Sequence, residues 1–156
     1  MDKNKKNKLK SAFSLPEFLI VIAILVILVG LAVPAFKSYQ PNLQLSGSAR
    51  NLVTDFRYAQ QLAVAEQVEY GIYFYPLDKK YEIVKYGAAT GTIKEVVLPG
   101  EISSLTLSQE ILDNNNVVKY NPYGSVDVSG TVFLQNSENA TTVLEIKPSG
   151  FINILN

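Results

Sequence analysis

The side chains able to do chemistry in this chain are carboxylates, lysines and tyrosines, because its 156 residues include no His and no Cys. That removes the imidazole general base, the thiolate nucleophile, zinc sites built on either, and any disulfide framework. Paired carboxylates remain for acid–base work. Eleven carboxylates run from Glu66 to Glu145, but no spacing among them singles out a pair. They read as solvated loop and strand residues. Asp113-Asn114-Asn115-Asn116 carries the hard oxygen ligands that calcium takes, yet no EF-hand spacing follows and the segment reads as a turn. Asn139-Ala140-Thr141 matches a glycosylation acceptor, a three-residue pattern of low specificity. The expectation is a non-enzyme, with no catalytic residue, no cofactor and no metal ligands.

One carboxylate stands apart from these. Glu17 opens a run from Phe18 to Phe36 that has 19 residues, no charge, and only Gly30 and Pro34 outside the apolar set. As a helix at about 1.5 Å per residue it is roughly 28 Å long, close to the hydrocarbon thickness of a bilayer. It has no polar stripe, so it is not the helix of a soluble core. Five lysines precede it within residues 1–10, whereas residues 37–156 carry a net charge of −3. The basic flank stays in the cytoplasm and the C-terminal part lies outside. Three readings of this N-terminus compete: a secretory signal peptide cut after Ala35, an uncut signal anchor, and a processed assembly helix. Only the third gives Glu17 a role; otherwise it snorkels at the interface.

The segment Ala12-Phe13-Ser14-Leu15-Pro16-Glu17-Phe18-Leu19-Ile20-Val21-Ile22-Ala23-Ile24-Leu25 resembles the processing region of type IV pilins and pseudopilins. The resemblance implies a prepilin peptidase that cuts between Ala12 and Phe13 and N-methylates Phe13. Glu17 then stands fifth from the new terminus and Pro34 twenty-second, where the family often has a helix-bending proline. Ala12 occupies a place where the family usually has Gly, and Pro16 one where it often has an aliphatic residue. Proline is tolerable there, since first-turn N–H groups lack helical partners anyway. Within a filament, Glu17 of one subunit can pair with the Phe13 ammonium of a neighbour and set register, because breaking the pair leaves a buried charge.

Beyond the stem, Pro34 is expected to bend the helix and Pro41 to bend or break it. Leu45, Ala49, Leu52, Val53, Phe56, Ala59 and Ala63 then recur at spacings of three and four, one apolar face of a helix from Asn42 to Gln67. Its other face carries Arg50, Asp55, Arg57, Gln60 and Glu66. From Val68 the period becomes that of strands: 68–75, 81–86, 93–98, 102–107, 117–120, 131–135, 141–147 and 151–155, separated by Gly, Pro and Asn-rich turns. The expected class is α+β, a long N-terminal helix packed on an antiparallel sheet or sandwich. The expected divisions are a basic leader 1–12, a transmembrane assembly helix 13–36, its amphipathic half 37–67, and a β-rich extracytoplasmic head 68–156.

Three short segments carry a second resemblance: Ala59-Gln60-Gln61-Leu62-Ala63-Val64, Pro122-Tyr123-Gly124-Ser125-Val126, and Gly130-Thr131-Val132 with Ile146-Lys147-Pro148-Ser149-Gly150-Phe151-Ile152. Together they are similar to the H-type (GspH/FimT) minor pseudopilins. The expected function is thus a minor pilin or pseudopilin of a type IV pilus or type II secretion-like filament. Its implied partners are the prepilin peptidase, other pilin subunits, the inner-membrane assembly platform and membrane lipid. The alternative is a membrane-anchored binding domain that never polymerises. Nucleic acid is the less favoured partner: only Lys79, Lys80, Lys85 and Lys94, with Arg50 and Arg57, hint at the clustered cations that phosphates need.

Overall fold

A computed structural model describes residues 14–87 and 90–155, without the side chains of residues 33–35, 37 and 38. Ala12 and Phe13, the expected cleavage pair, lie outside the described residues. The chain divides into two units, one ending at Ser38 and the other spanning Tyr39–Asn156. In the first unit, helix α1 (Leu15–Glu66, continuing into the second) begins with the carbonyl of Ser14 accepting from the Phe18 N–H at 3.2 Å. Pro16 sits in the first turn, where its missing N–H breaks no ladder bond.

The helix runs unbroken through Pro34 and Pro41, so the break expected at Pro41 does not occur. A proline removes one ladder hydrogen bond, and the neighbouring bonds hold the helix. In the second unit α1 presents Leu45, Ala49, Leu52, Phe56, Ala59 and Ala63 to the core, all buried. It ends where Gln67 turns into the left-handed region (φ 56°). The Gln67 amide donates to the Val64 carbonyl at 2.7 Å, satisfying one acceptor the last turn leaves free.

The rest of the second unit is two antiparallel four-stranded sheets. Strands β1 (Tyr70–Tyr75), β2 (Lys80–Lys85), β3 (Gly91–Val97) and β5 (Val117–Tyr120) form one, in the order β3-β2-β1-β5. Strands β4 (Ile102–Leu107), β6 (Gly130–Asn136), β7 (Thr141–Ile146) and β8 (Ile152–Leu155) form the other, in the order β4-β6-β7-β8. The period of two is visible in burial: Tyr81 and Ile83 on β2, and Val132 and Leu134 on β6, face inward. One apolar core joins the α1 face to both sheets, and the Phe56 ring lies 6.0 Å from Phe74 and 6.4 Å from Tyr120. This is the expected α+β architecture in its sandwich form. A short helix, α2 (Gln109–Asp113), stands where no element was expected. Its single buried side chain is Ile111, which pins it to the core.

Candidate functional site

In the first unit the candidate is the stem itself. Leu15–Ala32 has a mean hydropathy of 2.8, and none of it is buried. Exposed Leu, Ile, Val and Phe on every side of a helix require an apolar solvent or other apolar helices. Glu17 is exposed in the first turn of α1. A carboxylate there is favoured by the partial positive charge of the helix N-terminus.

In the second unit the polar side chains arrange themselves around α1. Asp55, expected on the solvent face, is buried. Its Oδ2 accepts from the Tyr81 hydroxyl at 2.8 Å and its Oδ1 from Lys94 Nζ at 2.6 Å. Burial and the Asp55 hydrogen bond hold the Tyr81 phenol far above its ordinary range. Near the end of α1, Glu66 accepts from Lys85 Nζ at 2.6 Å and from the Tyr70 hydroxyl at 2.7 Å, and these bonds lower its carboxyl. Lys80 bridges Glu82 and Glu95, each at 3.1 Å. Lys79 Nζ donates to the Ile102 carbonyl at 3.1 Å. The four lysines that hinted at a phosphate-binding patch are therefore engaged, three of them in ion pairs. Of the hinted cations, Lys79, Arg50 and Arg57 form no ion pair among the described residues.

The three short segments of the second resemblance meet in space. Gln60 Nε2 on α1 donates to the Gly124 carbonyl at 2.6 Å. The Tyr120 hydroxyl donates to the Gly150 carbonyl at 3.2 Å, and the Val126 N–H to the Pro148 carbonyl at 3.2 Å. Gly124 (φ 86°) and Gly150 (φ 80°) both adopt left-handed conformations, and a side chain at Gly150 would overlap the Gly124 carbonyl oxygen. The helix, the turn after β5 and the turn after β7 are thus pinched together through two glycines and one amide.

Solved structures of a minor pilin and a minor pseudopilin are similar to this arrangement. The minor pilin FimU of Pseudomonas aeruginosa matches at 13% identity with a TM-score of 0.61, covering 76% of this chain and 92% of that one. The minor pseudopilin EpsH of the Vibrio cholerae type 2 secretion system matches at 10% identity with a TM-score of 0.60, covering 72% and 96%. The fold is that of the minor pilins and pseudopilins. No protein-family model matches the sequence, and no curated protein matches it.

The second unit presents open concavities on its surface. Among the described residues no three acidic side chains cluster in a way that could hold a metal ion. Its concavities are shallow. One of about 280 Å³ is lined by Glu110, Thr131, Glu145 and Lys147, and one of about 270 Å³ by Tyr73, Tyr75, Pro76, Leu77, Asp78 and Asn116. Asn114, in the expected Asp-Asn turn, donates to Asp127 Oδ2 at 2.9 Å. Asp127 Oδ1 accepts from the Lys119 and Val128 N–H groups, each at 2.8 Å. Asp127 thus ties the turn to β5. Sequence reasoning missed Asp55, although it stands three residues after Leu52 and four before Ala59, within the apolar period.

Proposed function

We propose that this chain is a structural subunit, a minor pilin or pseudopilin, of a type IV pilus or type II secretion-like filament. It is held in the cytoplasmic membrane by Leu15–Ala32, with its N-terminus in the cytoplasm and its head outside. A prepilin peptidase cuts between Ala12 and Phe13 and methylates Phe13. The inner-membrane assembly platform then moves the subunit from lipid into the filament, where the stem packs against stems of other pilin subunits. Pro34 bends the stem near its exit from the membrane.

The observation that carries this reading is the exposed, charge-free helix after Glu17, running on as the first helix of a pilin-like head. A plain anchor needs the apolar run but not a carboxylate at its start, which costs about 2.5–3.5 kcal/mol at a helix centre and less near its edge. In the filament, Glu17 faces the Phe13 ammonium of a neighbour, and the pair neutralises two charges in an apolar bundle. The test is Glu17→Ala in the native host. The variant is expected to insert and to be cut normally, yet to be missing from filaments sheared off the cells. Normal recovery in the sheared fraction would remove that role for Glu17.

A further inference from the structure

Arg50 and Arg57 both stand on the exposed side of α1, but only Arg50 borders a cleft. The cleft has a volume of about 140 Å³ and is lined by Ser46, Ala49, Arg50, Thr142 and Ile154. Ser46, Ala49 and Arg50 come from α1, at the spacings of three and four that put helical residues on one side. Thr142 comes from β7 and Ile154 from β8, neighbouring strands of one antiparallel ladder. A helix on one wall and two paired strands on the other fix the width of the opening.

The polar groups of these walls are donors left without partners. Arg50 supplies a guanidinium fork, and Ser46 and Thr142 supply one hydroxyl each. The Arg50 carbonyl accepts from the Thr54 hydroxyl at 2.9 Å, but among the described residues nothing pairs with its guanidinium. Among the same residues neither the Ser46 nor the Thr142 hydroxyl makes a hydrogen bond. Thr142 is only 7% exposed, and a polar group buried that far is ordinarily bonded. The other buried polar side chains of this unit show the rule: Asp55 accepts from Tyr81 and Asn136 donates to Asn42. No carboxylate lines the cleft, so the Arg50 charge is not met from within it.

We propose that this cleft is a binding site for a single aliphatic carboxylate group. One guanidinium balances one negative charge, and its planar fork matches the two oxygens of a carboxylate. The hydroxyls of Ser46 and Thr142 donate to the remaining lone pairs. A phosphate monoester carries about 1.5–2 negative charges and would leave part of them unmet. Ala49 and Ile154 offer apolar surface to the carbon chain behind the carboxylate. The volume is below the roughly 300–1,000 Å³ of ordinary small-molecule sites, which restricts the ligand to an acid of side-chain size. Such a group arrives either as a free small carboxylate or as an Asp or Glu of another protein. The site stands on its own donors and does not depend on the filament reading.

The test titrates sodium acetate into the full-length chain in detergent, replacing sodium chloride so that ionic strength stays constant. The nuclear magnetic resonance signals of the arginine Nε–H groups and of the Thr142 amide are followed. The Arg50 and Thr142 signals are expected to shift together and to saturate, while Arg57, outside the cleft, stays still. Thr142→Val keeps the side-chain shape and should weaken acetate binding by about tenfold, the scale of one hydrogen bond to a charged group. Arg50→Gln should abolish the Thr142 shift. Equal shifts at Arg50 and Arg57, or no saturation, overturn the proposal. A second arm separates the two sources. The photo-crosslinking residue p-benzoylphenylalanine replaces Leu43, an exposed position one turn before Ser46, in the native host. An adduct through an Asp- or Glu-containing peptide assigns the site to a protein ligand, and saturable acetate binding without an adduct assigns it to a free carboxylate.

Discussion

Replacing Gly150 by alanine should be among the most damaging single-methyl changes available in the head. Gly150 has φ 80°, where an L-residue is strained by about 1–2 kcal/mol. The added Cβ would also overlap the Gly124 carbonyl oxygen, a backbone atom, and lie 2.7 Å from Gln60 Nε2 and 2.8 Å from Tyr120 Cε1. Relief requires moving the pinch apart, which loses the Gln60–Gly124 and Tyr120–Gly150 hydrogen bonds at about 0.5–1.5 kcal/mol each. These terms overlap, and together they give about 3–4 kcal/mol of destabilisation. Gly124→Ala is the control. It shares the left-handed conformation (φ 86°), but its nearest neighbour is Val64 Cγ2 at 3.3 Å, the end of a side chain. It should cost only the conformational part, about 1–2 kcal/mol. Gly47→Ala on α1, with nothing within 4 Å, should stabilise by about 0.5–1 kcal/mol. The assay is urea unfolding of the full chain in detergent, followed by near-ultraviolet tyrosine dichroism, which reports the head because all nine tyrosines lie beyond residue 38. A Gly150→Ala midpoint equal to that of Gly124→Ala would refute the steric argument.

Four further outcomes follow from the polar groups. Lys94→Met strips one partner from buried Asp55 and should cost about 2 kcal/mol, below the full penalty of a buried pair because Lys94 is half exposed. Lys85→Met, whose partner Glu66 is exposed, should leave the urea midpoint unchanged within error. Hydrogen bonds lower the carboxyls of Glu66, from Lys85 and Tyr70, and of Glu110, from Ser108, so the unfolded chain holds protons that the folded one has released. Head stability should thus be fully present at neutral pH and fall as pH drops below the ordinary carboxylate value of about 4.3. A midpoint that rises on acidification would contradict the pairing. Burial raises the phenols of Tyr81 and Tyr120, so stability should also fall as pH climbs past the ordinary tyrosine value of about 10. Tyrosinate absorbance should appear together with unfolding rather than ahead of it for those two residues.

Much of the head was legible because its signals are local. The three-and-four spacing from Leu45 to Ala63 marked the buried face of α1, and the strands stand within about two residues of their expected bounds. Less was legible where one interaction overrides a pattern. Asp55 is charged and so was assigned to solvent, but Tyr81 and Lys94 reach it from β2 and β3, strands far along the chain. Pro41 was expected to bend or break the helix, yet the turns on both sides of it carry the helix through without a break. The five-residue α2 spans less than two turns, too short for an apolar period to show. The segments around Gln60, Gly124 and Gly150 carried a weak resemblance separately; their meaning lies in their contact, which a linear reading does not display. The processing residues Ala12 and Phe13 lie outside the described residues, and the partner proposed for Glu17 belongs to another subunit, which one chain does not display.

The central claim therefore turns on the mature N-terminus. The direct measurement is N-terminal sequencing and intact mass of the membrane-associated protein from its native host. The account predicts a chain that begins at Phe13 and carries the extra mass of one methyl group. A chain beginning at Phe36, or one retaining Met1 in cells with an active prepilin peptidase, would contradict it.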